Sequence, residues 1–535
     1  TVNLADLLGD PKRIWLQGPE AIEAHYYGTI SGNVDGTDYQ VAVKFHVRLY
    51  ADGTLRIRAI VENGTQDYDF GTDLAYVPTV TIDGGVVYDN GGVALNHYNK
   101  TRWDAIGWIG GDAQSVIRHD TDYLMASKLV PNYWKRNPSE AVLNGLTTAY
   151  TPLNNGDWRA AMPNPGFHEQ IGLLPNWDAL YLTSGGDARA FRSVITNGRA
   201  INSYGIVWGD DQTNDPIVIS EWPALTAAAY GGGRRDYLAG SYRWDIAHHG
   251  SAGYFPYLLT GDYYFLESLQ YQAMTIYLFT LRNAQGVERL ITPDETRAMA
   301  WATRTYGQLA GIAPTEQRTL DVAAMLNHTA AYWRGIIEQP GMNQLGYFFR
   351  YVNYSISATG AGGLAPWQQH FWAQTNGYIS DLEYADDMTD FNFVRDHLYK
   401  APVAILGGEG TDSFCFTRAG TYRIATWTES SADPTNWFDS WGDVYQWTFD
   451  EPNTSCGNSL QSTDGWVLPE EASINMWGNL LPAIAYAVED GAPGAAESWQ
   501  RFTGAENFST LENSGFEDTS VWNITPRNAT PPVED

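Results

Sequence analysis

GGRRDYLAGSYRWDIAHHGSAGYFPYLLTGDYYFLESL, residues 232–269, marks where a polar loop gives way to a long run of helices. Its first half is polar and rich in glycine, with Arg234, Arg235, Arg243, Asp245 and the adjacent His248 and His249. Its second half turns apolar at helical spacing from about Tyr254 onward. Titratable side chains crowded into a loop before a buried helix are costly to desolvate, and such crowding is what proton-transfer chemistry requires.

Downstream and just upstream of this loop the apolar period is that of helices. Helices are expected over 177–183, 188–204, 252–258, 264–281, 292–311, 316–337, 368–382, 391–401, 480–488 and 495–502. Thr292-Pro293-Asp294-Glu295 reads as a helix start, with an N-cap Thr, Pro at the first helical position and two acids in the first turn. Asp187 before Ala188 follows the same N-cap logic without the proline. Successive helix pairs joined by irregular loops predict an (α/α) toroid over 169–512, with a loop-rich insertion around 405–470. Residues 422–428 read as extended chain inside that insertion.

Further upstream the period is two. Val43-Lys44-Phe45-His46-Val47-Arg48-Leu49 alternates strictly, 55–60 nearly does, and Ala51-Asp52-Gly53 lies between them as a hairpin turn. Strands are also expected at 22–30 and 79–82. Residues 1–125 therefore predict an antiparallel β-sandwich, and the turn-rich 126–168 a linker. The polar, proline-containing 513–535 predicts a loosely held tail. The fold class is multidomain α and β.

The bulk composition narrows function. A chain of 535 residues exceeds one core, so more than one domain is expected. A net charge of −30 disfavours nucleic acid and anionic membrane surfaces as partners, because both need a basic face. No apolar stretch is long enough for membrane insertion. With 21 Trp and 33 Tyr, the aromatics serve either a large core or sugar stacking. Cys415 and Cys456 pair as one disulfide if the chain is exported and stay thiols if it is cytosolic. Eight Asn-X-Ser/Thr sequons and the Thr1 start incline the expectation toward a processed, secreted or cell-surface protein.

Four groups compete as the site. In the central loop, His248, Tyr254 and Asp245 are candidate proton donors and acceptors, with His249, Arg234, Arg235 and Arg243 as substrate contacts. Two adjacent histidines point in different directions, so one of them faces the site. Gly166-Phe167-His168-Glu169 followed by Pro175-Asn176-Trp177-Asp178 stands at another helix entrance; Glu169 serves either as a catalytic partner of His168 or as a helix-dipole charge. Trp367 and His370 lie three apart, as a sugar platform or as buried packing. Glu383, Asp386, Asp387 and Asp390 match no calcium loop and read as a solvated face. Arg102 and Trp103, in the cluster that ends the β region, line either a cleft wall or an interdomain contact. Zinc-protease, phosphate-loop and nucleophile-elbow motifs are absent, and no metal or cofactor is expected.

Trp244-Asp245-Ile246-Ala247-His248-His249-Gly250, followed by the run from Tyr254 to Asp262, resembles the toroid mouth of carbohydrate-active enzymes that join a β-sandwich to an α/α toroid, polysaccharide lyases above all. The resemblance is architectural and spans most of the chain. It implies a polysaccharide or oligosaccharide substrate, cleaved by β-elimination with Tyr254 or His248 as base and Arg234, Arg235 or Asn176 as neutraliser. A glycoside hydrolase using Asp245 with Glu169 or Asp178 is the alternative. A cell-surface or virion structural protein on an enzyme-like fold is the third reading.

Overall fold

The structure, a computed structural model, describes residues 1–34, 36–64, 72–111, 117–135, 137–159, 171–227, 244–280, 284–291, 296–313, 315–348, 354–356, 358–428, 433–461, 472–508 and 524–527. It is a mixed α and β molecule, with an antiparallel sheet at the N-terminus and thirteen α-helices among the described residues.

The N-terminal region supplies β1 (Arg13–Gln17), β2 (Ala21–Val34), β3 (Thr37–Tyr50), β4 (Leu55–Asn63), β5 (Leu74–Tyr76), β6 (Thr79–Ile82), β7 (Gly85–Asp89), β8 (Leu95–His97) and β9 (Thr101–Ile109). Five of them form one antiparallel sheet in the order β1-β2-β3-β4-β9, while β5–β8 and β6–β7 are separate two-stranded ladders. The β3–β4 turn forms where the alternation breaks. Gly53 takes φ +87°, and the Asp52 carboxylate accepts from the Thr54 amide at 2.9 Å.

Alternation sorts β2, β3, β4 and β9 into two faces. One carries Ala24, Phe45, Val47, Ile57, Ala59, Trp103 and Ala105, and β6–β7 packs over it at β9. The other carries Glu23, His25, Lys44, His46, Arg48, Arg56, Arg58, Glu62, Arg102 and Asp104. Alternation of this kind ordinarily turns the polar face to water. Here that face is buried against the helical body and neutralised from across the junction by Asp262 and Glu267.

After the sheet come α1 (Thr121–Ala126), α2 (Glu140–Gly145), α3 (Asn176–Thr183), α4 (Ala188–Ala200), α5 (Tyr254–Thr260), α6 (Tyr263–Phe279), α7 (Thr296–Ile312) and α8 (Gln317–Ile337). The strands β10 (Tyr354–Ser355) and β11 (Gly362–Leu364) precede α9 (Pro366–Asp381) and α10 (Thr389–Ile405). Then follow β12 (Ile424–Trp427), α11 (Trp441–Phe449), α12 (Ala472–Glu489) and α13 (Ala495–Thr503). The side chain of Asp187 caps α4 by accepting from the Arg189 amide, and Pro366 opens α9 at its first position. The start expected at Thr292–Glu295 lies outside the described residues.

Helices from α3 to α8 pair with the next in sequence, as do α9 with α10 and α12 with α13, and some further apart also touch: α7 meets α9, α8 meets α10, and α9 meets α12. α6 is buried along its whole length, because the sheet closes one side and α5 and α7 others. The expected linker contains α2, and α1 ends where it begins. The insertion is stitched back by β12, which pairs with β11, and by the Cys415–Cys456 disulfide. The expectation of a loose tail is corrected at its described part. Ile524 bridges Tyr133, and Arg527 bonds Asp381, Glu489 and the carbonyls of Met125 and Val130. Among the described residues no helix is long and apolar enough to cross a membrane.

Candidate functional site

The loop before α5 makes one helical turn on Asp245. Both the His248 and His249 amides donate to the Asp245 carbonyl, at 3.1 and 3.0 Å. Asp245 Oδ1 accepts from the Ala247 amide at 2.8 Å, which sets the turn. Its other oxygen lies 2.8 Å from His248 Nδ1. A carboxylate can only accept there, so Nδ1 carries the proton and the imidazole is held in one orientation. Burial pushes the Asp245 carboxyl up, but the hydrogen bond and charge of His248 outweigh it and hold it well below the usual range. Side-chain exposure is 14% at His248 and 31% at Asp245, while His248 Nε2 itself is buried.

His249 turns the other way. Its Nδ1 accepts from the Asp245 amide at 2.8 Å, and its Nε2 donates to the Arg159 carbonyl at 3.2 Å. Tyr204, Trp158 and Trp244 surround the ring. Burial lowers its pKa and keeps it neutral. It braces the loop and does not face a substrate, which corrects its assignment as a substrate contact.

Arg304, on α7, donates to the His249 carbonyl at 3.0 Å and to the Gly172 carbonyl. It is buried, no carboxylate pairs with it among the described residues, and burial lowers its pKa to about 9. Locally it is the second arginine in Thr-Arg-Ala-Met-Ala-Trp-Ala-Thr-Arg, and nothing in that string sets it apart from Arg297.

The other expected residues scatter. The Tyr254 hydroxyl donates to the Leu129 carbonyl at 2.6 Å inside the core, and burial raises its pKa well above 10. That corrects its role as base. Trp177 is buried edge-on to Trp158 at 4.6 Å and reaches the loop only through that ring. Asn176 lies beside it at the start of α3, 9% exposed, and its Oδ1 has no partner among the described residues. Asp178, one residue further, is buried with neither carboxylate oxygen partnered among the described residues, and burial raises its pKa well above the usual range.

Trp367 and His370 are both 1% exposed. His370 Nε2 meets the Tyr347 hydroxyl at 2.8 Å, and burial brings its pKa to about 3. They are core and not a sugar platform. Arg102 is locked between Glu62, Glu267, Asn202 and Ser268, and Trp103 donates to the Tyr76 hydroxyl. These two belong to the sheet and its junction and not to a cleft wall. His168, Glu169, Arg234, Arg235 and Arg243 lie outside the described residues.

Among the described residues one group brings three metal-ligating side chains together: Glu23, His25 and His46, with donor atoms within 4.8 Å of one another. Its geometry does not suit an ion. The two imidazoles are stacked at 3.8 Å and 18°, so their planes do not meet on a common point, and Glu23 is already held by Arg48 at 2.5 Å. No protein family, curated protein or solved structure matches the chain.

Proposed function

We propose that the chain is a polysaccharide-degrading enzyme, a lyase that cleaves a uronate-containing glycan by β-elimination with His248 as the proton-transfer group. The observation that carries this reading is the 2.8 Å bond from His248 Nδ1 to Asp245, which fixes the imidazole in one orientation at the loop before α5. With Nδ1 anchored, Nε2, buried beside the loop, is the ring nitrogen we assign as base once substrate is seated. In β-elimination the base takes the proton beside the uronate carboxylate. The electron pair becomes a C=C bond, and the glycosidic oxygen departs with its electrons and is protonated. A cation must steady the carboxylate as charge builds on it; Arg234, Arg235 and Arg243 are the residues we assign to this.

A hydrolase needs two carboxylates facing the glycosidic bond. Asp178 is sealed in the core and Asp245 is committed to His248, which favours elimination over hydrolysis. In this reading the paired helices are arcs of an (α/α) toroid, and the small β5–β8 and β6–β7 ladders are the second layer of a sandwich. The Cys415–Cys456 disulfide fits a secreted or cell-surface protein.

The test is digestion of a panel of uronate and neutral polysaccharides, followed by ultraviolet absorbance. We expect an unsaturated uronate signal that disappears in His248→Ala. Reducing ends without absorbance would replace the lyase with a hydrolase. No turnover, with self-assembly into filaments or sheets, would replace both with a structural protein.

A further inference from the structure

Arg527 sits where two helices end. Asp381 is the last residue of α9 and Glu489 the last of α12, and Arg527 Nη1 lies 2.6 Å from a carboxylate oxygen of each. Its Nε donates to the Met125 carbonyl at 3.2 Å and its Nη2 to the Val130 carbonyl at 3.0 Å. A helix C-terminus is the negative end of the helix dipole, and an acid there is unfavourable without a cation. Two such ends and two acids, whose side chains are only 6% and 10% exposed, make a notch of concentrated negative potential. Lys128 reaches Asp381 from the surface, but among the described residues Glu489 pairs with no cation besides Arg527.

The residues just before Arg527 are held by other means. Ile524 is buried and forms an antiparallel bridge with Tyr133. The Thr525 amide donates to the Asn132 carbonyl at 3.0 Å, and Asn132 Nδ2 donates back to the Thr525 carbonyl at 3.0 Å. Pro526 is buried too, and its ring leaves no amide there to be satisfied. An apolar anchor, a strand-like backbone pair and a guanidinium fork are the means by which proteins recognise extended peptides. All three are met by four residues, Ile524-Thr525-Pro526-Arg527. A patch this short opens at lower free energy than the packed helices around it. Opening leaves Glu489 without a cation and Asn132 without its partners, so the opened notch favours any segment that can replace them.

We propose that this notch is a peptide-docking site for an extended basic segment with an aliphatic residue three places before an arginine, and that Ile524–Arg527 closes it in cis until such a segment displaces it. Lysine at the last position would meet the carboxylates but could not fork to the Met125 and Val130 carbonyls as well. Docking here does not depend on the lyase reading.

The experiment uses the full chain and a fluorescein-labelled peptide of residues 522–529, Trp-Asn-Ile-Thr-Pro-Arg-Asn-Ala. Arg527→Gln releases one end of the built-in segment and Ile524→Ser the other. Binding is read by fluorescence anisotropy. We expect each variant to bind the peptide about tenfold or more tighter than the unsubstituted chain, whose notch is filled. Peptides carrying glutamine or lysine in place of the arginine should lose about tenfold or more, and adding Glu489→Gln to Arg527→Gln should lose as much. In the isotope-labelled unsubstituted chain, excess unlabelled peptide should speed hydrogen exchange of the Thr525 amide, a readout that needs no variant to fold. Absence of that exchange effect, no binding to either variant, equal binding of the arginine-free peptide, or equal binding by the unsubstituted chain would overturn the proposal. So would an unsubstituted chain that forms concentration-dependent dimers dissolved by Arg527→Gln, since the segments would then be exchanged between copies and not seated in cis.

Discussion

Replacing Glu267 by Gln tests whether charge, rather than packing, joins the sheet to the helical body. Glu267 is fully buried on α6, with one oxygen on Lys44 at 2.7 Å and the other on Arg102. The same two cations share Glu62, each at 2.7 Å. At an effective dielectric of about 20, one such contact carries roughly 6 kcal/mol of gross Coulomb energy before desolvation is subtracted. Glu267→Gln leaves two buried cations on one carboxylate, a net charge with no partner. Breaking a buried pair in this way costs about 3–5 kcal/mol, or roughly two to four powers of ten in the local opening equilibrium. Removing Lys44 as well, in Lys44→Met with Glu267→Met, leaves Arg102 and Glu62 balanced and should recover most of the loss. Amide exchange along β3 and α6 reads the junction locally, which suits a chain too large for a single unfolding free energy. A double variant as unstable as the single one, or a single variant that loses less than about 1 kcal/mol, would refute charge balance as what holds the junction. The sign with pH follows. Burial raises the Glu267 carboxyl, but Lys44 and Arg102 outweigh it and bring it to about 2. Its contribution is therefore complete above the unfolded value near ~4.3 and is lost as pH falls toward the folded one.

Other outcomes follow from the same geometry. His248→Ala should cost about 10²–10⁴-fold in turnover, and Asp245→Asn should lower turnover more than it changes substrate affinity, both read from initial rates. Tyr254→Phe should keep full activity and lose about 1 kcal/mol of stability, because its hydroxyl serves the core, bonded to the Leu129 carbonyl and beside the Tyr378 hydroxyl on that same carbonyl. Burial depresses His46, His97, His370 and His397, the last three to about 4, 3 and 4. Melting temperature should be flat above about pH 6.5 and fall below it, as the unfolded chain takes up protons that the folded one refuses. Reduction of Cys415–Cys456, which are 41 residues apart, should cost about 4 kcal/mol by loop entropy, seen as a lower melting temperature in reductant.

Reading the sequence located most elements because periodicity is a local property. The strand alternation at Val43–Leu49 and the apolar spacing of 317–337 depend only on neighbours in the chain. The Asp245–His248 pair was legible for the same reason: three residues apart on one turn, they bond each other wherever the loop goes. The spacing of His248 and His249 likewise determined that they diverge.

Tertiary structure decided what each face meets. Alternation like that of β3 ordinarily turns the polar face to water, yet here its charges are met by Asp262 and Glu267, more than two hundred residues later, so it is buried. Tyr254, Trp367 and His370 carry functional chemistry in sequence and became core, because helices on every side close over them. Arg304 was invisible as a brace of the loop, since the Gly172 and His249 carbonyls it holds lie far from it in the chain. Local backbone preference sets which residues share a face; only the packing of distant segments sets whether that face finds water, a counter-charge or the core.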